Sequence, residues 1–166
     1  MKKGWLEFGR FILLLVMFFV IIDLLKTNNE LKKELGLNFR NLINETDDLI
    51  NDTKKVDLEE VIKTEQGSQI VRRYSSQFWN LQTEYYGLTK NDVGKLGRIL
   101  GEVAQLEGLL ADNGRWTPSQ KEQHEKALVT LELILRDFSS INGSDKYWYQ
   151  LIEYIDKRIE SEGLEL

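Results

Sequence analysis

The chain has 166 residues, 22 Lys and Arg against 27 Asp and Glu, a net charge of −5, one histidine and no cysteine. An acidic balance excludes the phosphate neutralisation that dominates nucleic-acid affinity. The lack of cysteine with a single histidine excludes a disulfide framework, a thiol nucleophile, a structural zinc site and a di-iron bundle.

The first element is the most legible. Phe11, Ile12, Leu13, Leu14, Leu15, Val16, Met17, Phe18, Phe19, Val20, Ile21 and Ile22 are apolar without a break; Asp23 interrupts, and Leu24 and Leu25 resume. As a helix, residues 11–25 span roughly 22 Å, short of the ~30 Å hydrocarbon core, and extension back to Gly4 gives roughly 33 Å. Trp5 then stands at one interface and Asp23 near the other, while Glu7 and Arg10 can pair on one face near the helix end. A cleaved signal peptide needs small residues after the apolar run, but Lys26, Thr27, Asn28, Asn29 and Glu30 follow it. A soluble amphipathic helix needs a polar face, which residues 11–22 lack. The reading is a transmembrane signal-anchor at the cell membrane, with residues 1–10 cytoplasmic as the basic start of an export signal and the rest outside.

Residues 26–56 are expected to form a polar helical stalk. Leu31, Leu35, Leu42 and Ile43 make a thin stripe, Gly36 is a candidate break, Asn38 a candidate cap, and fraying is expected at 51–56. Without the charges of residues 1–26 (Lys2, Lys3, Arg10 and Lys26; Glu7 and Asp23) the net charge falls to −7. Packing alone must hold an exported domain without disulfides, and that composition suits a bacterial envelope better than a disulfide-rich ectodomain.

Residues 57–166 are expected to be an extracytoplasmic antiparallel bundle of about four helices, which makes the chain all-α. Asp57 followed by Glu59 and Glu60 is an N-cap signature. The helix it opens is expected to reach Tyr86, with Gly67 a weak point inside and Gly87 a stop. Its stripe is Ile70, Tyr74, Phe78, Leu81 and Tyr85, widened by Val71, Trp79 and Tyr86, with Arg72 and Arg73 placed for cation–π contacts. From Thr89 or Asn91 to about Asp112 a second helix carries two faces. Leu96, Ile99, Leu100, Val103, Leu106 and Leu110 form one. Gly94, Gly97, Gly101, Ala104 and Gly108 form the other, a face of small residues that suits close approach of a neighbouring backbone.

Asn113 and Gly114 read as a C-cap, and Thr117-Pro118 as the N-cap and first position of a third helix. That helix is expected to run to Ser139, with Ala127, Leu128, Leu131, Ile134, Leu135 and Phe138 inward. His124 is expected to be partly exposed at the polar end of this stripe. A last helix from Ser144 to about Ser161 points Trp148, Leu151, Ile152, Ile155 and Ile159 inward.

No phosphate-binding glycine loop and no acid, base and nucleophile set is present, so neither a cofactor nor catalysis is expected. The start of the chain resembles type IV pilins only superficially: Glu7 is the third residue after Gly4, not the fifth, and Arg10 breaks the apolar run. Ten residues inside cannot form a signalling output domain. The expected function is therefore a single-pass, membrane-anchored helical interaction module, an accessory subunit of a membrane complex. Its partner is expected to be a membrane or envelope protein, with self-association as the other outcome. The candidate contact residues are Tyr74, Trp79, Tyr86, Tyr147 and Trp148. The alternative is a small-molecule-binding, sensor-like bundle.

Overall fold

The computed structural model describes residues 2–89, 94–136, 154, 155, 157 and 159–161, with side chains from Ile12 onward. The described residues form helices and no strand. They are α1 (Lys2–Lys55), α2 (Leu58–Val61), α3 (Gly67–Leu88), α4 (Lys95–Asn113) and α5 (Pro118–Arg136), followed by helical residues around Ile155 and Ile159.

α1 has 54 residues, so it extends about 81 Å at 1.5 Å per residue. Its first half is long and apolar enough to cross a membrane. An 18-residue window there has a mean hydropathy of 1.8, and none of it is buried. Every residue from Ile12 to Leu31 is exposed.

The second half of α1 corrects the stalk reading of 26–56. Phe39, Leu42, Ile43, Leu49 and Ile50 are buried, and Thr46 and Thr53 are buried with them. Positions 39, 42, 46, 49 and 53 recur every three to four residues, the period of a packed helical face. Two of these five are threonines, and Asn44, Asp47, Asp48, Asn51 and Asp52 fill the outer face, so the stripe is masked by its own polar surroundings. Thr46 donates its hydroxyl to the Leu42 carbonyl at 2.7 Å, which makes it compatible with a core position. The helix passes through Gly36 and Asn38 without a break and does not fray before Lys55. One wall of the bundle is therefore supplied by α1 itself.

Four long helices close a ring of contacts: α1 meets α3, α3 meets α4, α4 meets α5, and α5 returns to α1. The core joins Phe39, Leu42 and Ile50 of α1 to Phe78 and Tyr85 of α3, Leu96, Leu100 and Val103 of α4, and Leu131 and Ile134 of α5, with Ile155 and Ile159 completing it. A smaller cluster of Leu58, Val71, Leu110 and Ala111 closes the end away from the apolar segment.

The helix expected over 57–86 is two helices. Asp57 caps α2, accepting at Oδ1 from the backbone N–H groups of Glu59 and Glu60 at 3.1 Å each. The chain then turns, and α3 begins at Gly67, where a Cβ would stand 2.0 Å from the Val61 carbonyl oxygen. Close approach of two backbones requires glycine there. α3 continues through Gly87 to Leu88. Its buried face is rotated from the expected one: Val71, Ser75, Phe78, Leu81, Gln82 and Tyr85 are inside, while Ile70 and Trp79 are exposed. Ser75 and Gln82 are the polar residues that hid this register.

α4 ends at Gly114, whose φ of 70° is the left-handed cap conformation and whose N–H donates to Leu110 O at 2.8 Å. Thr117 and Gln120 form a reciprocal capping box at the start of α5: Thr117 Oγ1 accepts from Gln120 N at 3.3 Å, and Gln120 Oε1 accepts from Thr117 N at 2.9 Å.

Candidate functional site

The small-residue face of α4 lies against α3. A Cβ at Gly97 would stand 2.5 Å from the Tyr86 ring and 2.9 Å from the Tyr85 ring, and one at Gly101 would stand 2.2 Å from Gln82 Nε2. At Gly94 it would stand 2.1 Å from the Tyr85 hydroxyl oxygen; at Gly108 it meets only Ser75 Oγ at 3.4 Å. Two polar side chains of α3 fasten the approach. Gln82 Nε2 donates to Gly97 O at 2.8 Å, and Ser75 Oγ donates to Ala104 O at 2.8 Å. Both reach α4 carbonyls on the small-residue face, where no larger side chain intervenes.

This packing separates the aromatic residues expected to form one contact surface. Trp79 and Tyr86 share a groove of about 490 Å³ that runs over the outer strip of α4 (Arg98, Glu102, Gln105) to Gln120 and Gln123 of α5. Trp79 is 47% exposed at its edge. Tyr74 lies elsewhere, in an acidic groove of about 600 Å³ between α1 and α3 lined by Glu45, Asp48, Asp52, Glu84 and Arg73. Tyr147 and Trp148 lie outside the described residues, as does Phe138. Arg72 pairs with Asp112 of α4 rather than with a ring.

The histidine is placed differently from expectation. His124 is buried on α5, with its ring 4.5 Å from that of Trp116 and tilted 34° to it. Its Nε2 lies 3.2 Å from Oε1 of Glu107, a fully buried carboxyl on α4. Trp116 is itself held by its indole N–H, which donates to Leu106 O at 2.7 Å. Burial pushes the Glu107 carboxyl up to about 9 and the His124 imidazole down to about 4. Both shifts have the same cause, removal of the charged form from water. The pair is therefore neutral at pH 7. Glu107 Oε2 is buried with no hydrogen-bond partner.

Glu107 was not among the residues singled out from the sequence. The signal was its spacing, four after Val103 and three before Leu110, which places it inside the apolar face of α4. Thr53, only 2% exposed and with an unpartnered hydroxyl, left no signal because its helix read as polar.

No group of three or more metal-ligating side chains occurs among the described residues. No protein-family model matches the chain, and no curated protein and no solved structure matches it either.

Proposed function

We propose that the protein is a non-catalytic interaction module held in the cell membrane by the apolar half of α1, an accessory subunit that docks a membrane or envelope protein. The observation that carries this reading is the continuity of α1. One unbroken helix joins a wholly exposed apolar segment to the centre of a bundle core. An exposed run such as Ile12–Ile22 is stable in hydrocarbon and a severe aggregation liability in water. Residues 26–38 then hold the bundle about 20 Å from the membrane surface.

The docking surface of this reading is the groove with Trp79 and Tyr86. A half-exposed indole beside a ring of amide and charged side chains has the composition of an interface anchor with a polar rim. The bundle is assigned to the outside and the N-terminus to the cytoplasm. Two experiments test the reading. The chain has no native cysteine, so an exposed Ser119→Cys should react with a membrane-impermeant maleimide in intact cells; reaction only after lysis reverses the topology. In-cell crosslinking and purification in mild detergent should recover one protein in stoichiometric amount. Trp79→Ala should abolish that recovery while leaving the thermal midpoint within a few degrees. Recovery of the chain alone, or only as its own oligomer, overturns the accessory-subunit reading.

A further inference from the structure

The groove of about 600 Å³ between α1 and α3 has an apolar strip along its floor. Leu49 and Leu81 form the base, Tyr74 is half-buried, and Ile70 is 40% exposed at one end. On α3 the groove runs from Ile70 to Glu84, about 21 Å at 1.5 Å per residue. Its α3 wall repeats every three to four residues through Tyr74, Gln77 and Leu81, the kind of ridge against which a further helix packs. It shares no residue with the Trp79 groove.

The rim is charged mainly in one sense. Glu45, Asp48 and Asp52 stand three and four residues apart along α1, Glu84 stands on the α3 wall, and Arg73 is the one cation in the lining among the described residues. Four carboxylates against one guanidinium leave a net charge of −3. Lys55 pairs with Asp52 at 3.2 Å, but Glu45, Asp48, Glu84 and Arg73 form no ion pair among the described residues. Elsewhere the protein pairs its charges between elements, as Lys54 with Glu132, Lys121 with Glu59 and Arg72 with Asp112. Along this groove it keeps like charges one turn apart, which weakens a helix slightly and which a bound cation relieves.

We infer that this groove docks a basic amphipathic helix of a partner protein, with its apolar face on Ile70 and Tyr74 and its lysine or arginine side chains against Glu45, Asp48 and Glu84.

The occupant follows from shape and charge together. A helix laid in a groove needs apolar anchors spaced by turns, and this groove is about four turns long. Its rim attracts cations and repels acidic chains and anionic lipid. A second copy meets the same repulsion, since residues 27–166 carry 25 acidic against 18 basic residues. Arg73 opposes a cationic partner at one point of the wall, so its removal should act in the opposite direction from removal of the carboxylates.

The test uses the full chain in phosphatidylcholine nanodiscs. The probe is a fluorescent peptide of alanine, leucine and lysine about 14 residues long, the length of the groove, with leucines on one helical face and lysines on the other. Binding is read by anisotropy against empty discs. It should be saturable and should weaken at least about tenfold between low salt and about 0.5 M salt. A diazirine in place of one leucine should mark the segment around Ile70 and Tyr74. Glu45→Gln, Asp48→Asn and Glu84→Gln together should weaken binding about tenfold, and Arg73→Gln should tighten it about threefold. Ile70→Ser should weaken it about fivefold through lost apolar burial. Trp79→Ala should leave it unchanged, which separates this surface from the other. All these side chains are exposed, so thermal midpoints within a few degrees of the parent's should confirm intact folding. No saturable excess over empty discs, or parental affinity in the triple variant, overturns the docking surface. Equal binding of a shuffled peptide of the same composition overturns the amphipathic helix, and displacement by equimolar spermine reduces the groove to a small-polycation site. Loss of binding in Trp79→Ala overturns the assignment to this groove.

Discussion

At the scale of single residues, the pair Glu107–His124 makes stability depend on pH in a specific way. The folded protein holds a proton on Glu107 up to about pH 9, whereas an unfolded carboxyl with an ordinary value of 4.5 releases it. That contribution is full below 4.5 and is lost as pH rises toward 9. The folded protein refuses a proton at His124 down to about 4, whereas the unfolded imidazole takes one below 6.5. That contribution is full above 6.5 and is lost as pH falls toward 4. Between 4.5 and 6.5 the two slopes oppose each other; above 6.5 only the Glu107 slope remains. The thermal midpoint should therefore fall between pH 7 and 9, and Glu107→Gln should flatten that fall. A midpoint of Glu107→Gln that drops as steeply as the parent's would show that the carboxyl is already ionised in the folded state.

At the scale of elements, the two kinds of glycine in the helices make opposite predictions. A Cβ added at Gly36 would meet nothing within 4 Å, so Gly36→Ala should raise stability by up to ~1 kcal/mol through helix propensity alone. Gly97 lies under two tyrosine rings, one of them fully buried. Gly97→Ala should lose about 1–3 kcal/mol, since overpacking a close helix contact outweighs the propensity gain. Denaturant melts of the two variants check both signs. The two halves of α1 differ in the same fashion. Phe39→Ala removes a fully buried ring and should cost about 3–5 kcal/mol. Leu31→Ala, at a position 53% exposed, should change stability by less than about 0.5 kcal/mol. A small effect at Phe39 would return residues 39–55 to the role of a spacer.

At the scale of the whole molecule, α1 is both the apolar segment and a wall of the bundle. Any tilt or rotation of the segment in a membrane is transmitted to the core without a hinge, because Gly36 and Asn38 do not interrupt the helix. Alkaline carbonate should leave the full chain in the membrane pellet. Deletion of residues 4–25 should release it to the supernatant. A full chain that carbonate extracts would contradict the anchoring reading directly.

What the sequence determined by itself was local or compositional. The apolar run from Phe11, the Asp57 cap, the Gly114 terminus, the Thr117-Pro118 start and the apolar face of α4 each depend on residues within a turn or two of one another. Such signals survive without knowledge of neighbours. The all-helical class follows from the same periodicities. What only the tertiary structure decided was which face of each helix meets which neighbour. The core positions of α1 and α3 include Thr46, Thr53, Ser75 and Gln82, polar residues that cannot be told from solvent-facing ones until their carbonyl partners, or the lack of one, are in place. The Glu107–His124 pair joins α4 to α5 across 17 residues of sequence, and its burial and neutrality exist only because Trp116 and the helix packing exclude water from it. Periodicity reports that a helix has a buried side; desolvation by elements distant in sequence sets where that side points and what its polar groups become.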